Sequence, residues 1–226
     1  MNSFIELQNI AKTYQTQDSQ VELFDNINVT IEQGKATAIV GASGAGKSTL
    51  LLICAGLEQQ STGNVRYVSK GESRSIVQLK QNSGFIFQQF HLLPELNALQ
   101  NVALPLKLRG DKHAEKNALC WLENVGLGAR AKHKPNQLSG GEQQRVAIAR
   151  SLSTQPEFIF ADEPTGNLDE ATAATITDLL FDLIHENQTG LVMVTHNTEL
   201  ALRCDNRLNL KQGSLNNYPV EELAYA

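Results

Sequence analysis

The stretch GASGAGKST at residues 41–49 constrains what this chain can fold into more than any other. It fits G-x-x-x-x-G-K-[ST], with the apolar run ATAIV (36–40) before it and LLLICAGL (50–57) after it. A glycine-rich turn between a buried strand and a helix presents successive backbone N–H groups, and such groups wrap phosphate oxygens at a helix N-terminus. In that arrangement Gly41, Ala42, Ser43, Gly44, Ala45 and Gly46 form the cradle, and Thr49 closes the motif. Lys47 reaches the β- and γ-phosphates and Ser48 takes a magnesium position. A strand–helix turn with an incidental lysine is the plain alternative. The strand–loop–helix setting favours a nucleotide site.

Other short apolar runs also lead into chemically loaded residues. GFIF (84–87) runs into Gln88, FIFA (158–161) into Asp162, and LVMVT (191–195) into His196. Buried parallel strands read this way, with function at their carboxyl ends. Beside a phosphate cradle, Asp162 offers a carboxylate to magnesium and Glu163 can polarise an attacking water. Residues 170–186 place Ile176, Leu179, Leu180, Leu183 and Ile184 on one helical face. The first 35 residues read as an antiparallel sheet edge. Between 91 and 137 strands vanish, and DKHAEKNALCWLENVG reads as a helix with Ala114, Ala118, Leu122 and Val125 inward, closed by Gly126. The expected fold is α/β. A parallel-sheet core (1–90 and 156–226) carries an N-terminal antiparallel β subdomain and an inserted α-helical subdomain over about 91–155.

Among the 226 residues the net charge is −5, with acids and bases interspersed. That argues against nucleic acid as a partner, which would call for a basic stripe. Cys54, Cys120 and Cys204 form no metal-ligand pair and read as buried thiols of a reducing compartment. MNSFIELQNI lacks the basic and apolar regions of an export signal, and the longest apolar run, Leu50 to Leu57, is too short to cross a bilayer.

LSGGEQQRVAIAR (138–150) looks like a second anion site. Ser139-x-x-Glu142 is a capping box, which accounts for those two residues. It does not account for Gly140 and Gly141, which cost entropy at a helix start for no evident packing gain. The stretch closely resembles the signature of ATP-binding cassette (ABC) ATPases. The resemblance spans residues 4 to about 213. It implies a P-loop fold of ABC type, ATP and Mg2+ as cofactors, and a homodimer formed on ATP binding. There Ser139, Gly140, Gly141 and Glu142 close in trans over the nucleotide of the opposite subunit. It further implies that Gln88 contacts magnesium, His196 touches the γ-phosphate, Asp169 belongs to the D-loop, and Tyr14 stacks on adenine. Ser151 and Asn197 depart from the commonest family pattern.

ADEPTGNLD and LLPELNALQNVALPL resemble the lipoprotein-releasing and macrolide-exporter group of that family. The implied function is ATP hydrolysis that powers a separate transmembrane permease, for export or release of lipoprotein, lipid or drug-like cargo. The implied location is the cytoplasmic face of the inner membrane. Signalling to a membrane partner without moving cargo is the alternative, and a soluble DNA-repair or translation ATPase fits less well. The apolar residues of FHLLPELNALQNVALPL, Leu96 among them, suggest a groove for a helix of the permease.

Overall fold

The computed structural model describes residues 3–15 and 19–218. Two long strands open the fold, β1 (Phe4–Gln15) and β2 (Gln20–Glu32), paired antiparallel as expected. β3 (Ala36–Val40) and α1 (Lys47–Cys54) flank the glycine-rich turn. Next come β4 (Thr62–Ser69), β5 (Glu72–Arg74), the short helix α2 (Ile76–Gln81) and β6 (Ser83–Phe87). No strand lies between β6 and β7 (Phe158–Asp162); that stretch holds α3 (Ala98–Leu108), α4 (Ala114–Asn124) and α5 (Gly140–Leu152). α6 (Glu170–Glu186), β8 (Gly190–Val194), α7 (Thr198–Leu202), β9 (Asn206–Lys211) and β10 (Ser214–Asn217) follow.

Two sheets result. The antiparallel one runs β2-β1-β4-β5, and the other runs β10-β9-β3-β8-β7-β6. In the second sheet β9, β3, β8, β7 and β6 are parallel and only β10 is antiparallel. Alternation along each strand splits its side chains between two cores. Ala38, Ile159, Ala161, Leu191 and Met193 face the helices α5 and α6. Ile39, Phe158, Phe160, Val192 and Val194 face α1 and the antiparallel sheet, where Ile5, Ile27 and Tyr67 are fully buried. A sheet covered on both sides needs continuous apolar strands, which is why β3, β7 and β8 were plain in the sequence.

The Asn97 side chain caps α3, and Gly126 closes α4 with φ 74. Ala114, Ala118, Leu122 and Val125 are buried as expected. One thiol departs from expectation: Cys54 and Cys204 are buried, but Cys120 lies on the outer face of α4, exposed. Burial pushes both buried thiols up to about 12, which keeps them protonated and unreactive.

Candidate active site

β3 stops at Val40 and the chain turns at once. Gly41 has φ 148, and a Cβ there would run into the Leu210 backbone carbonyl of β9. Gly46, with φ 94, ends the turn as the N-cap of α1 and supplies no side-chain cap. The N–H groups of the first helical turn are thereby left to an outside acceptor. Lys47 folds back, its ammonium donating to the carbonyls of Gly41 at 3.0 Å and Ala42 at 2.8 Å.

Ser48 reaches across to the end of β7, where its hydroxyl donates to Asp162 Oδ1 at 3.2 Å. Burial raises the Asp162 carboxyl above its ordinary value. The Ser48 hydrogen bond opposes that shift, the charge of Glu163 adds to it, and Lys47 opposes it. No cluster of three or more His, Cys, Asp or Glu among the described residues could hold a metal alone. One carboxylate with one hydroxyl is nevertheless the donor set that suits Mg2+, which keeps waters and takes its other ligands from phosphates.

Glu163 follows in the left-handed region, φ 47, pinned by its N–H donating to the Val194 carbonyl at 3.0 Å. Its Oε2 lies 2.9 Å from Nδ1 of His196, whose side chain is 73% exposed. Both line a cavity of about 400 Å³. Asn197 has a local reason: its side chain caps α7 by accepting from the Leu200 N–H at 3.1 Å.

Gln88 is held by the loop after Glu163. Its Nε2 donates to Asn167 Oδ1 at 3.1 Å, while Asn167 Nδ2 donates to the Gln88 carbonyl at 2.9 Å. These bonds tie Gln88 to residue 167; they do not join it to Ser48 or Asp162. Asp169 caps α6, accepting from the Thr172 N–H at 3.0 Å. Tyr14 is 41% exposed at the end of β1, with the Lys12 ammonium 4.5 Å from its ring centroid.

Ser139 N-caps α5, accepting from the Glu142 N–H at 3.2 Å while its own N–H donates to Glu142 Oε2 at 2.8 Å. Arg130 pairs with Glu142 at 3.2 Å. The glycines do have a packing reason, contrary to expectation. A Cβ on Gly141 would sit 2.6 Å from Thr172 Cγ2, and one on Gly140 would sit 3.3 Å from Leu168. They let α5 approach the start of α6. No hydrogen bond among the described residues joins Ser139–Glu142 to residues 41–49.

Three residues escaped the sequence reading: Asn167, Arg150 and Gln144. Gln144 is buried on α5 and donates to the Pro164 carbonyl, one residue after Glu163. Its signal was there to see, an uncharged polar residue one turn before the buried Ile148. Leu96, read as part of a partner groove, is half-buried, and its N–H bonds to the Leu93 carbonyl. An apolar groove of about 610 Å³ lies between β6 and α3, lined by Phe85, Phe87 and Leu108 together with Leu104 and Pro105 of the FHLLPELNALQNVALPL stretch, and Leu96 is not part of its lining.

Comparison with known proteins places this geometry among relatives. Residues 24–166 match the family model described as ABC transporter. The chain is 46% identical over 221 residues to the uncharacterized ABC transporter ATP-binding protein YbbA of Escherichia coli K12, covering 94% of this chain and 96% of that one. It is 45% identical over 218 residues to the lipoprotein-releasing system ATP-binding protein LolD of Hahella chejuensis, covering 93% and 94%. Among solved structures it resembles the dimeric post-hydrolysis state of the ATP-binding cassette MJ0796 bound to ADP and Pi. The TM-score is 0.82 at 36% identity, covering 96% of this chain and 98% of that one. A second dimeric structure of MJ0796 matches with a TM-score of 0.83 at 37% identity.

Proposed function

The chain belongs to the ABC transporter family, as an ATP-binding subunit, and from that premise we propose that it hydrolyses ATP in head-to-tail pairs to drive a separate membrane permease. The observation that carries this reading is the meeting of Ser48 with Asp162, because it brings the phosphate cradle against the end of β7, where Glu163 follows. The N–H groups of residues 41–49 and Lys47 bind the phosphates, and Tyr14 receives the adenine. Ser48 and Asp162 would hold Mg2+, with Gln88 as a further ligand, and the ion would supply positive charge that offsets the phosphates. Glu163 accepts a proton from the attacking water, and His196, within hydrogen-bond reach of Glu163, orients the γ-phosphate. Such catalysis is positioning plus electrostatic stabilisation, with little covalent work for the protein.

Ser139, Gly140, Gly141 and Glu142 serve the nucleotide of the opposite subunit. Support comes from the dimeric MJ0796 structures and from the lack of any bond between this turn and its own P-loop among the described residues. Asp169 lies at the same junction. Identity to LolD over nearly the whole chain favours release of lipoprotein, or export of comparable lipid or drug-like cargo, through a permease of the inner membrane. No helix among the described residues is long and apolar enough to cross a membrane. The likeness to LolD supports a place at the cytoplasmic face of the inner membrane, held there by the permease.

Glu163→Gln tests the chemistry. The amide keeps the shape but cannot take the proton, so hydrolysis should fall by roughly 10²- to 10⁴-fold. ATP binding should survive and trap a dimer visible by size-exclusion chromatography. Hydrolysis at the wild-type rate would remove Glu163 from the mechanism.

A further inference from the structure

Beyond Gln88 the chain passes through two conformations that side chains seldom adopt. Phe90 has φ 60 and His91 has φ 47, and neither is a glycine. The Phe90 N–H donates to the Phe87 carbonyl at 3.1 Å and the His91 N–H to the Gln89 carbonyl at 2.6 Å. One guanidinium takes the carbonyls of both residues. Arg150 donates from Nη2 to Phe90 O at 2.8 Å and from Nη1 to His91 O at 2.6 Å. A planar fork suits two neighbouring acceptors in a way an ammonium cannot. Strained residues in sequence persist only where their surroundings over-determine them, and here one side chain joins two backbone bonds in holding them.

Arg150 sits in the last turn of α5, the helix whose N-cap is Ser139. Between those ends the helix is unbroken, and Gln144, Val146, Ala147, Ile148 and Ala149 are all buried. The turn that Arg150 grips also touches the outside. Phe87, His91 and Arg150 all line the groove between β6 and α3, and the Phe87 and His91 rings lie 4.6 Å apart. One acceptor of the arginine thus belongs to a groove residue, His91, and the other, Phe90, is tied to the groove through its N–H bond to the Phe87 carbonyl.

We infer that Arg150 is a positioning residue: by clamping the Phe90–His91 turn it sets where α5 carries Ser139, and so acts on the nucleotide of the opposite subunit. This rests on the trans reading of Ser139 proposed above. The clamp gives the groove a mechanical route to a site in another chain, and its own P-loop is untouched.

Complementation between inactive subunits separates this from a merely local role. Arg150→Met alone should lose ATP-dependent dimerisation, with hydrolysis down roughly tenfold or more and KM for ATP within about twofold. Mixed with Lys47→Ala, it should recover dimerisation. One composite site then pairs the intact P-loop of the Arg150→Met chain with the intact signature of the Lys47→Ala chain. An arginine that matters only to the Gln88 loop of its own subunit leaves that same site damaged, and no recovery follows. Ser139→Arg mixed with Lys47→Ala is run in parallel. Recovery there without recovery for Arg150→Met overturns the inference alone. Failure of both mixtures overturns the trans reading and the inference with it. Arg150→Lys keeps the charge and serves if the methionine variant does not fold. It should show a smaller defect with the same recovery, and wild-type dimerisation by Arg150→Lys alone would show that the two-carbonyl clamp is not needed.

Discussion

Asp162 sits between burial, which disfavours its charge, and the Ser48 hydrogen bond, which favours it. Water is withdrawn from its charged form by burial, so its carboxyl is raised above the ordinary 3.8. An acid whose folded value is raised binds protons more readily in the native state than in the unfolded chain. Stability therefore falls as pH climbs from 3.8 through the raised value. Asp162→Asn removes that cost while its amide oxygen still accepts from Ser48. Without nucleotide, the variant should melt higher than wild type at neutral pH, with the gap closing toward the ordinary carboxyl value. Added MgATP should stabilise wild type and do little for the variant. A variant that melts lower at neutral pH would show that burial does not govern this carboxyl. Lys47, Ser48, Asp162 and Glu163 could be picked out from the sequence because each sits in a short local pattern. Arg150 could not, since its meaning depends on a carbonyl 60 residues away.

The approach of α5 to α6 shows how one missing methyl sets the geometry of an element. Gly141→Ala would put its Cβ on Thr172 Cγ2, and forcing an extra methyl into such a contact costs about 1–3 kcal/mol. Thr172→Ser deletes that Cγ2 and keeps the backbone N–H that Asp169 caps. The double variant should therefore recover most of the stability lost by Gly141→Ala, read as a shift in urea midpoint. Simple additivity of the two changes would show that the contact is not what the glycine serves. At this scale legibility followed burial. β3 and β8 are buried at every residue and stood out as apolar runs. β5, exposed throughout, and β10, mostly exposed, carry no hydrophobic period and were missed. They are held by ladder hydrogen bonds to a neighbouring strand, which composition does not record.

For the whole molecule, the groove between β6 and α3 is where the proposed permease would seat. Leu108 is 80% exposed at its edge, and no residue of the phosphate turn lines the groove. Leu108→Glu should keep basal ATPase activity within about twofold, while co-purification with the permease is lost. Retained co-purification, together with transport at the wild-type rate, would place the docking surface elsewhere. The sheet order has a further consequence, for a chain still on the ribosome. β3 carries the phosphate turn, yet both of its neighbours, β8 and β9, are made much later. Ala36 pairs with Leu191, its N–H donates to Asp205 at 2.8 Å, and Gly41 packs on the Leu210 carbonyl. The strand that opens the parallel sheet is thus among the last to be paired, and long-range closures of this kind come slowly. Until β8 and β9 have been made the phosphate turn has no sheet neighbours to hold it, whereas the β1–β2 pairing is local and can form early.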